Sequence, residues 1–415
     1  MNNFNHVYFK NLDKIDKLGK IRKKFDIPKN IKYFDGNSLG PLPKNTIKLV
    51  NSMIKKEWGQ GLIRSWNNKD WINMPYKIGN KIAPLIGARS GEVVVTDSVS
   101  INLFKVLTSS LKLNKKRKII LSEIDNFPSD LYILESVIKM FGKNYKMKLI
   151  KKIETNLEKK IDNNTAVVML SHVNFKTGYI NDIKRITDMA HKKGALVIWD
   201  LSHSVGVIPI DLKKWGVDFA VGCTYKHLNG GPGSPGFLYV NKSHIKKAYQ
   251  PLAGWMGHKQ PFNFHIKYKP ANNIGKYICG TPSIVAYKTI EGGLKIFENL
   301  SINEIRKKSI QLSDILIKLM EKECSKYGFK VFSPIDSKKR GSQVSFTHPN
   351  GFPIMQALIS RGFIGDFRHP NILRFGISPL YMKFEDIWNL VKHLKDIMKK
   401  KEWEYVKFKK KKVVT

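Results

Sequence analysis

Short apolar runs alternate with amphipathic stretches through the middle of the chain. We interpret the apolar runs as strands: "EVVVTD", "KIILSE", "AVVMLSHV", "ALVIWDLSH", "VDFAVGCTYK" and "GFLYVNK". Near-continuous apolar runs are typical of strands that are buried on both faces of a mostly parallel sheet. The pattern between residues 92 and 242 therefore predicts an α/β unit.

An amphipathic helix is predicted between two of these strands, in "DIKRITDMAHKKG". Its apolar face carries Ile183, Ile186, Met189 and Ala190 at helical spacing, and Gly194 marks its end. Parallel strands need crossover connections of this length, so the helix supports a parallel sheet.

The pattern changes near residue 301. The stretch "SINEIRKKSIQLSDILIKLMEKECSKYG" predicts a long helix that begins with a capping box of Ser301 and Glu304 and stops at Gly328. The runs "GSQVSFTH", "GFPIMQALISRGF" and "LRFGISPLY" then predict a smaller α+β domain. We predict an N-terminal arm (1–48) that packs with the small domain, a large domain (49–300) and a small C-terminal domain (301–415).

The composition of the chain predicts a soluble protein with two hydrophobic cores and no disulfide framework. A chain of 415 residues with 42% hydrophobic content is long enough to bury two cores. Its three cysteines are widely spaced, which predicts neither a disulfide framework nor a metal site and fits a reducing cytoplasm. The N-terminus lacks the apolar core of a signal peptide, and no stretch approaches the roughly 18 uncharged apolar residues of a membrane helix. We therefore predict a soluble, cytoplasmic protein without a membrane partner.

The net charge of +40 first suggests a nucleic-acid partner. The lysines, however, are spread along the whole chain, and the richest basic run, "KFKKKK" from Lys407 to Lys412, lies at its end. Scattered charges coat a surface without forming a groove for phosphates. We predict no nucleic-acid partner, and a basic nucleic-acid-binding protein is the alternative from a different functional class.

Polar residues that end the apolar runs are the first candidates for a site, because ligands of open α/β sheets bind at the carboxyl ends of the strands. Asp200 follows one run, with His203 three residues later, and Lys226 ends the next run. A buried ammonium is costly, so Lys226 either reaches water or takes part in chemistry. An aspartate and a lysine on successive strands suit pyridoxal phosphate, which forms a Schiff base with a lysine and needs a carboxylate at its pyridine nitrogen. The alternative interpretation of Asp200 is a helix N-cap.

Two further stretches extend this pattern. In "TDSVSINLFKVL" a helix is predicted to open near Ser98 to Ser100, where backbone N–H groups and hydroxyls can bind phosphate, although the same residues cap helices that bind nothing. In "NFPSD" Phe127 is available to stack on a flat ring, although a lone aromatic residue is more often part of a core.

The order of phosphate turn, aromatic residue, acid and lysine resembles the fold-type I family of pyridoxal phosphate enzymes, and within it the kynureninase family. The similar stretches span nearly the whole chain: "YFDGNSLGPLP", "LIRSW", "FPSD", "WDLSHSVG", "GVDFAVGCTYKHLNGGPGSPGFLYV", "GWMGH", "GTPS" and "PNILRFGISPLY". This resemblance implies an α/β fold with a mostly parallel seven-stranded sheet in the large domain. It also implies a smaller α+β domain and a homodimer with shared active sites.

The resemblance also implies roles for single residues. Lys226 would hold the coenzyme, Asp200 would pair with its pyridine nitrogen, His203 would flank it and Phe127 would stack on its ring. The phosphate would be held by Val99, through its backbone alone, and Ser100, with Asp130, Ser171 and Tyr225 nearby. Trp255 and Thr281 would come from the partner subunit.

For the substrate, Arg374 would bind the α-carboxylate, and its alternative interpretation is a surface arginine. Trp66 and Thr281, which follows Gly280, stand where animal relatives have histidine and asparagine, as in bacterial relatives. This favours L-kynurenine over 3-hydroxykynurenine, because Trp66 offers an apolar face.

The implied reaction is the hydrolytic Cβ–Cγ cleavage of L-kynurenine to anthranilate and L-alanine through a quinonoid intermediate, a step of tryptophan catabolism. Tyr225 would give and take a proton or, alternatively, only bind the phosphate. The alternative within the same fold is a cysteine desulfurase or an aminotransferase. A desulfurase needs a nucleophilic cysteine in a mobile loop, and Cys324 lies in a predicted helix.

Overall fold

The computed structural model describes residues 4–410, so Lys411 and Lys412 of the basic run lie outside the described residues. The strands are β1 (Lys32–Tyr33), β2 (Val93–Val95), β3 (Ile119–Glu123), β4 (Lys146–Ile150), β5 (Thr165–Ser171), β6 (Leu196–Asp200), β7 (Phe219–Gly222), β8 (Phe237–Val240), β9 (Lys330–Val331), β10 (Gln343–Thr347), β11 (Phe363–Ile364), β12 (Asp366–Arg368) and β13 (Ile372–Gly376).

The α-helices cover the sheets and connect their strands. They are α1 (His6–Ile15), α2 (Lys44–Ser52), α3 (Ser65–Asn68), α4 (Met74–Ile82), α5 (Val99–Leu113), α6 (Pro128–Phe141), α7 (Ile153–Lys160), α8 (Ile183–Lys192), α9 (Lys242–Ile245), α10 (Ile284–Leu294), α11 (Ile302–Cys324), α12 (Gly351–Ser360), α13 (Phe384–Lys399) and α14 (Val406–Lys409).

The large sheet has seven strands in the order β2-β8-β7-β6-β5-β3-β4. Neighbouring strands from β7 to β4 pair in parallel, and β8 runs antiparallel to both of its neighbours. The predicted mostly parallel seven-stranded sheet is confirmed. Six of its strands lie within the apolar runs of the sequence, and β4 is the strand that the pattern did not indicate.

Helices bury both faces of this sheet. Leu103 of α5 and Leu134 of α6 share one core with Ile120 of β3. The predicted helix is α8, whose residues Ile183 and Ile186 belong to the core on the other face. After α8 the backbone of Gly194 has φ +72°, a left-handed conformation that glycine adopts without strain.

The C-terminal part forms an α+β unit, as predicted. Its four-stranded antiparallel sheet has the order β12-β13-β10-β9, and α11 and α13 pack against each other beside it. One detail of the prediction is wrong: Ser301 is the N-cap of α11, but its side chain makes no capping hydrogen bond. Ser301 is exposed, so water can replace the missing intramolecular partner.

The N-terminal residues contact this unit. Strand β1 pairs in parallel with β11, and Asp13 of α1 accepts hydrogen bonds from the backbone N–H groups of Phe384 and Glu385 at 2.7 and 3.1 Å. A carboxylate in this position satisfies two free donors of the first turn of α13 and stabilises its dipole. The domain limits stay a prediction.

The described residues contain neither a membrane-spanning helix nor a metal-binding cluster. None of their helices is both long and apolar enough to cross a membrane. Among residues 4–410 no group of three or more histidine, cysteine, aspartate or glutamate side chains is arranged to hold a metal ion. All three cysteines are free thiols.

Candidate active site

The carboxyl ends of β2, β3, β5, β6 and β7 surround one cavity of about 360 Å³. The predicted residues in its wall are Val99, Ser100, Phe127, Asp130, Ser171, Asp200, His203, Tyr225 and Lys226. Wall residues that were not assigned a role are Asp97, Ser98, Ser129, Phe175, Ser202, Gly233, Ser234, Pro235 and Gly236. Residues from five separate segments thus meet where an open α/β sheet binds its ligand.

Lys226 follows β7 and reaches the centre of this wall. Its Nζ atom lies 2.9 Å from Nε2 of His203 and 5.9 Å from the ring centroids of Phe127 and Tyr225. Burial, and then the charge of Lys226, hold the pKa of His203 well below its usual value. His203 is therefore neutral at physiological pH, and its Nε2 atom accepts a hydrogen bond from the lysine.

Two buried carboxyl groups face the same lysine. Asp200 ends β6 and accepts a hydrogen bond from the backbone N–H of Ser202 at 2.8 Å. Burial raises the pKa of Asp200, and the charge of Lys226 opposes part of that rise. Burial also raises the pKa of Asp130, and the neighbouring Asp200 adds to the effect. One more positive group in the cavity would therefore stabilise the ionised carboxylates.

Two long helices begin at the cavity. The side chain of Ser98 caps α5 by accepting a hydrogen bond from the backbone N–H of Ile101, and α6 begins at Pro128. The Oγ atoms of Ser100 and Ser129, in the first turns of these helices, are 3.1 Å apart. Hydroxyls and backbone N–H groups at positive helix ends are groups that can bind an anion.

The glycine- and proline-rich turn after Lys226 closes the cavity wall. Thr224 holds the turn, because its Oγ1 atom donates to the carbonyl of Pro235 at 2.6 Å and its carbonyl accepts from the N–H of Gly230 at 2.9 Å. A Cβ atom on Gly236 would lie 2.9 Å from the carbonyl oxygen of Gly222, closer than packed atoms allow. The lack of a side chain there lets the turn approach β7.

These groups fit the coenzyme that the sequence implies. An amine for the aldehyde, a buried carboxyl for the ring nitrogen and paired helix N-termini for the phosphate lie around one cavity. The ring of Phe127 is 40% exposed and packs edge-to-face on Phe175, with centroids 5.1 Å apart. It therefore offers a free face on which a flat ring can stack.

Five predicted site residues lie outside this wall. Trp66 packs edge-to-face on Trp71, with centroids 6.0 Å apart, and Trp255 packs against Phe262 and Phe264. Gly280 and Thr281 are exposed. The fifth residue, Arg374 of β13, is 2% exposed, so the alternative of a surface arginine is wrong.

Phe175 is a residue of the cavity wall that the sequence pattern did not predict. It lies in the turn after β5, and its carbonyl accepts a hydrogen bond from Nη1 of Arg374 at 2.8 Å. No motif or spacing marks this contact, since 199 residues separate the two partners. Ser129 was within reach of sequence reasoning, because it stands in the first turn of a helix that begins beside Phe127.

A half-buried carboxyl group near Arg374 gives a pH-dependent prediction for stability. Burial, and then the charge of Asp366, raise the pKa of Asp35 to about 7. The folded protein then holds this proton more tightly than the unfolded chain, so the stabilisation is complete below about pH 4 and is lost as pH rises through 7. Asp35→Asn removes the effect, and we expect a shallower fall of unfolding free energy between pH 4 and 8, by at most about 4 kcal/mol.

Urea unfolding of the coenzyme-loaded protein at a series of pH values measures this difference. Asp26→Asn is the matched control, because it removes a carboxyl group that is exposed. Parallel pH curves for Asp35→Asn and the unmodified protein would contradict the prediction.

Comparison with protein families gives matches along most of the chain. Residues 305–394 match the family described as "Kynureninase C-terminal domain", and residues 78–278 match "Cys/Met metabolism PLP-dependent enzyme". Kynureninases from Pseudomonas fluorescens and from Burkholderia pseudomallei (strain K96243) are each 45% identical to this chain over 401 residues, which is 96% of both sequences.

Solved structures share the fold at lower identity. A cysteine desulfurase from Thermococcus onnurineus NA1 has a TM-score of 0.80 at 20% identity and covers 92% of this chain and 98% of its own. The cysteine desulfurase CsdA from Escherichia coli has a TM-score of 0.77 at 17% identity, with 92% and 98% covered. These likenesses confirm the fold-type I architecture, while the sequence relatives decide the family. With 45% identity over nearly its whole length, the chain belongs to the kynureninase family of pyridoxal-phosphate-dependent enzymes.

Proposed function

We propose that the protein cleaves the Cβ–Cγ bond of L-kynurenine hydrolytically, giving anthranilate and L-alanine. The near full-length similarity to enzymes named kynureninase carries this proposal. The cavity supports it, since Lys226 and Asp200 face one space at the ends of neighbouring strands. The reaction belongs to the kynurenine pathway of tryptophan catabolism.

Each part of the bound coenzyme has a partner in the proposal. Lys226 would bind its aldehyde carbon, Asp200 would pair with its ring nitrogen, and Phe127 and His203 would contact its ring. The groups around its phosphate are the N–H of Val99 and the side chains of Ser100, Asp130, Ser171 and Tyr225. When bound, pyridoxal phosphate supplies an electron sink for a carbanion beside the amine-bearing carbon. Asp200 keeps that sink effective, because a carboxylate at the ring nitrogen favours its protonated form.

The chain's own groups move the protons. When the substrate amine has replaced Lys226 on the coenzyme, the Nζ atom of the lysine can take the α-proton. Neutral His203 can then accept a hydrogen bond from the resulting ammonium group. Burial raises the pKa of Tyr225, so its phenol keeps its proton at neutral pH and can donate it to the β-carbon that forms alanine. In the alternative role Tyr225 only binds the phosphate.

The chemistry of the thiols favours this reaction over cysteine desulfuration. Burial raises the pKa of Cys324 to about 12 and also raises those of Cys223 and Cys279. A thiol that stays protonated is a poor nucleophile. Cys324 ends helix α11 with its side chain buried, so it lacks the mobile position that a desulfurase requires. Free thiols also suit the proposed cytoplasmic location.

We further propose a homodimer in which Trp255 and Thr281 complete the site of the partner subunit, while Trp66 and Gly280 bind the substrate. Exposed apolar side chains beside Trp255 support an interface there, since Phe262 and Phe264 are 53% and 72% exposed. The mass of the coenzyme-loaded protein in solution tests the proposed homodimer. The substrate α-carboxylate is assigned to Arg374.

Kynurenine turnover tests the function and its specificity together. We expect purified, coenzyme-loaded protein to release fluorescent anthranilate from L-kynurenine. We also expect kcat/KM to be roughly 10-fold lower for 3-hydroxykynurenine than for L-kynurenine, because the apolar face of the Trp66 indole offers no partner for the added hydroxyl. Absence of anthranilate would refute the function, and a preference for the hydroxylated substrate would refute the assignment of Trp66.

A further inference from the structure

Arg374 is held by a second buried side chain whose role the reaction does not explain. Strands β12 and β13 pair antiparallel with Asp366 directly opposite Arg374, and the two residues are 1% and 2% exposed. The Nε atom of Arg374 donates to Oδ1 of Asp366 at 2.8 Å, and its Nη2 atom donates to Oδ2. Asp366 therefore occupies one of the two edges through which a guanidinium binds carboxylates in bidentate fashion.

The other edge of the guanidinium contacts a residue of the active-site cavity wall. Its Nη1 atom donates to the carbonyl of Phe175 at 2.8 Å, and its Nη2 atom donates to Oγ of Ser38 at 2.7 Å. Phe175 is part of the cavity wall. Both of these acceptors are neutral, so a carboxylate entering from the cavity can replace them with stronger, charge-assisted hydrogen bonds.

The charges around Asp366 leave room for one more anion. Arg368 also donates to Oδ2 of Asp366, at 2.8 Å, so two guanidinium groups share a single carboxylate. Asp35, whose pKa is raised by burial to about 7, adds little negative charge below that pH. Arg368 is 43% exposed, so water screens part of its charge, but the buried Arg374 shares its carboxylate and gains from a second one.

The loop that carries Ser38 ties this cluster to the coenzyme lysine. The backbone N–H of Gly40 donates to the carbonyl of Tyr225 at 2.8 Å, and a Cβ atom on Gly40 would clash with the carbonyl oxygen of Lys226. At the other end of the loop, the hydroxyl of Ser38 lies 3.1 Å from Oδ2 of Asp366. The loop therefore fixes the distance between the lysine and the arginine.

We propose that Asp366, supported by Ser38, is a positioning residue that turns the Nη1/Nη2 edge of Arg374 toward the α-carboxylate of a bound amino acid. The inference rests on the proposed function, which assigns that carboxylate to Arg374. Asp366 touches neither substrate nor coenzyme and acts through the arginine.

A pair of ligands that differ only in the carboxylate tests the inference. L-Alanine and L-alaninamide are titrated into coenzyme-loaded protein while the coenzyme absorbance is followed, so no turnover is needed. We expect the unmodified protein to bind alanine more tightly. Asp366→Asn lowers the affinity for alanine by roughly 10- to 100-fold and leaves that for alaninamide unchanged, because a misplaced guanidinium affects only the carboxylate. Ser38→Ala produces a smaller loss of the same kind and keeps the test available if Asp366→Asn fails to fold.

Asp314→Asn is the matched control, because it removes a carboxylate from the buried Arg340, away from the cavity wall, and we expect it to keep the preference for alanine. The inference is overturned if Asp366→Asn and Ser38→Ala retain that preference, or if Asp366→Asn weakens both ligands equally. An unmodified protein that prefers alanine, loses this preference in Asp366→Asn and does not cleave kynurenine would support the inference and refute the proposed function. An unmodified protein that cleaves kynurenine but binds alanine and alaninamide equally would overturn the inference and support the proposed function.

Discussion

Replacing Lys226 by alanine is expected to lower anthranilate formation from L-kynurenine by about 1,000-fold or more. With the roles proposed for Lys226, the variant would lose the covalent attachment of the coenzyme and, in the same atom, the base that takes the α-proton. General base catalysis alone contributes about 100- to 10,000-fold. The neighbouring His203 cannot replace the lysine, because burial keeps its pKa well below its usual value and makes it a very weak base. The rate of anthranilate fluorescence at saturating coenzyme measures the loss.

Two controls separate lost chemistry from lost folding. Lys213→Ala changes an exposed lysine outside the cavity wall and should keep full activity. Added methylamine should restore part of the activity of Lys226→Ala, since the deletion leaves space in the cavity for a small amine. Turnover by Lys226→Ala within 10-fold of the unmodified protein, without added amine, would show that the base has been assigned wrongly.

The large sheet was predictable because its strands are apolar over most of their length. Five of them end at the polar or glycine-rich segments that line the cavity, so the approximate place of the site followed from the same pattern. Strand β4 escaped prediction for a physical reason. It lies at the edge of the sheet, where only Ile150 of its five residues is buried, and its two lysines hide the apolar pattern.

The surroundings of Arg374 could not be predicted from local sequence. Asp366 is close to it in the chain, but their contact depends on the antiparallel register of β12 and β13. Ser38 and Phe175 reach the same guanidinium from 336 and 199 residues away. Side chains brought together by tertiary packing leave no periodic pattern, whereas Asp200 ends a strand that the pattern locates. Lys226 was predicted to end the next strand, but β7 stops at Gly222, so the lysine lies in the turn that follows.

Asp200→Asn is expected to lower kcat by about 100- to 1,000-fold. The carboxylate is buried at the end of β6, where water screens its charge little. In the role proposed for Asp200, an asparagine would keep the shape of the side chain but could not hold a proton on the ring nitrogen by charge, so the electron sink would become weaker. We expect KM to change less than kcat, because the lost interaction is strongest when negative charge has moved into the ring. The absorbance of the bound coenzyme reports the change at the ring nitrogen independently of turnover.

Asp218→Asn provides the comparison that isolates this charge. Asp218 is also buried, and it binds the rings of His191 and His244 and the backbone N–H of Val197 outside the cavity wall. Its replacement should lower stability, since three donors lose a charged acceptor, but should leave kcat per bound coenzyme unchanged. The two variants therefore remove the same charge from equally buried positions, one facing the cavity and one not. Equal losses of kcat in both would mean that general destabilisation explains the effect, and an unchanged kcat in Asp200→Asn would remove Asp200 from the catalytic apparatus.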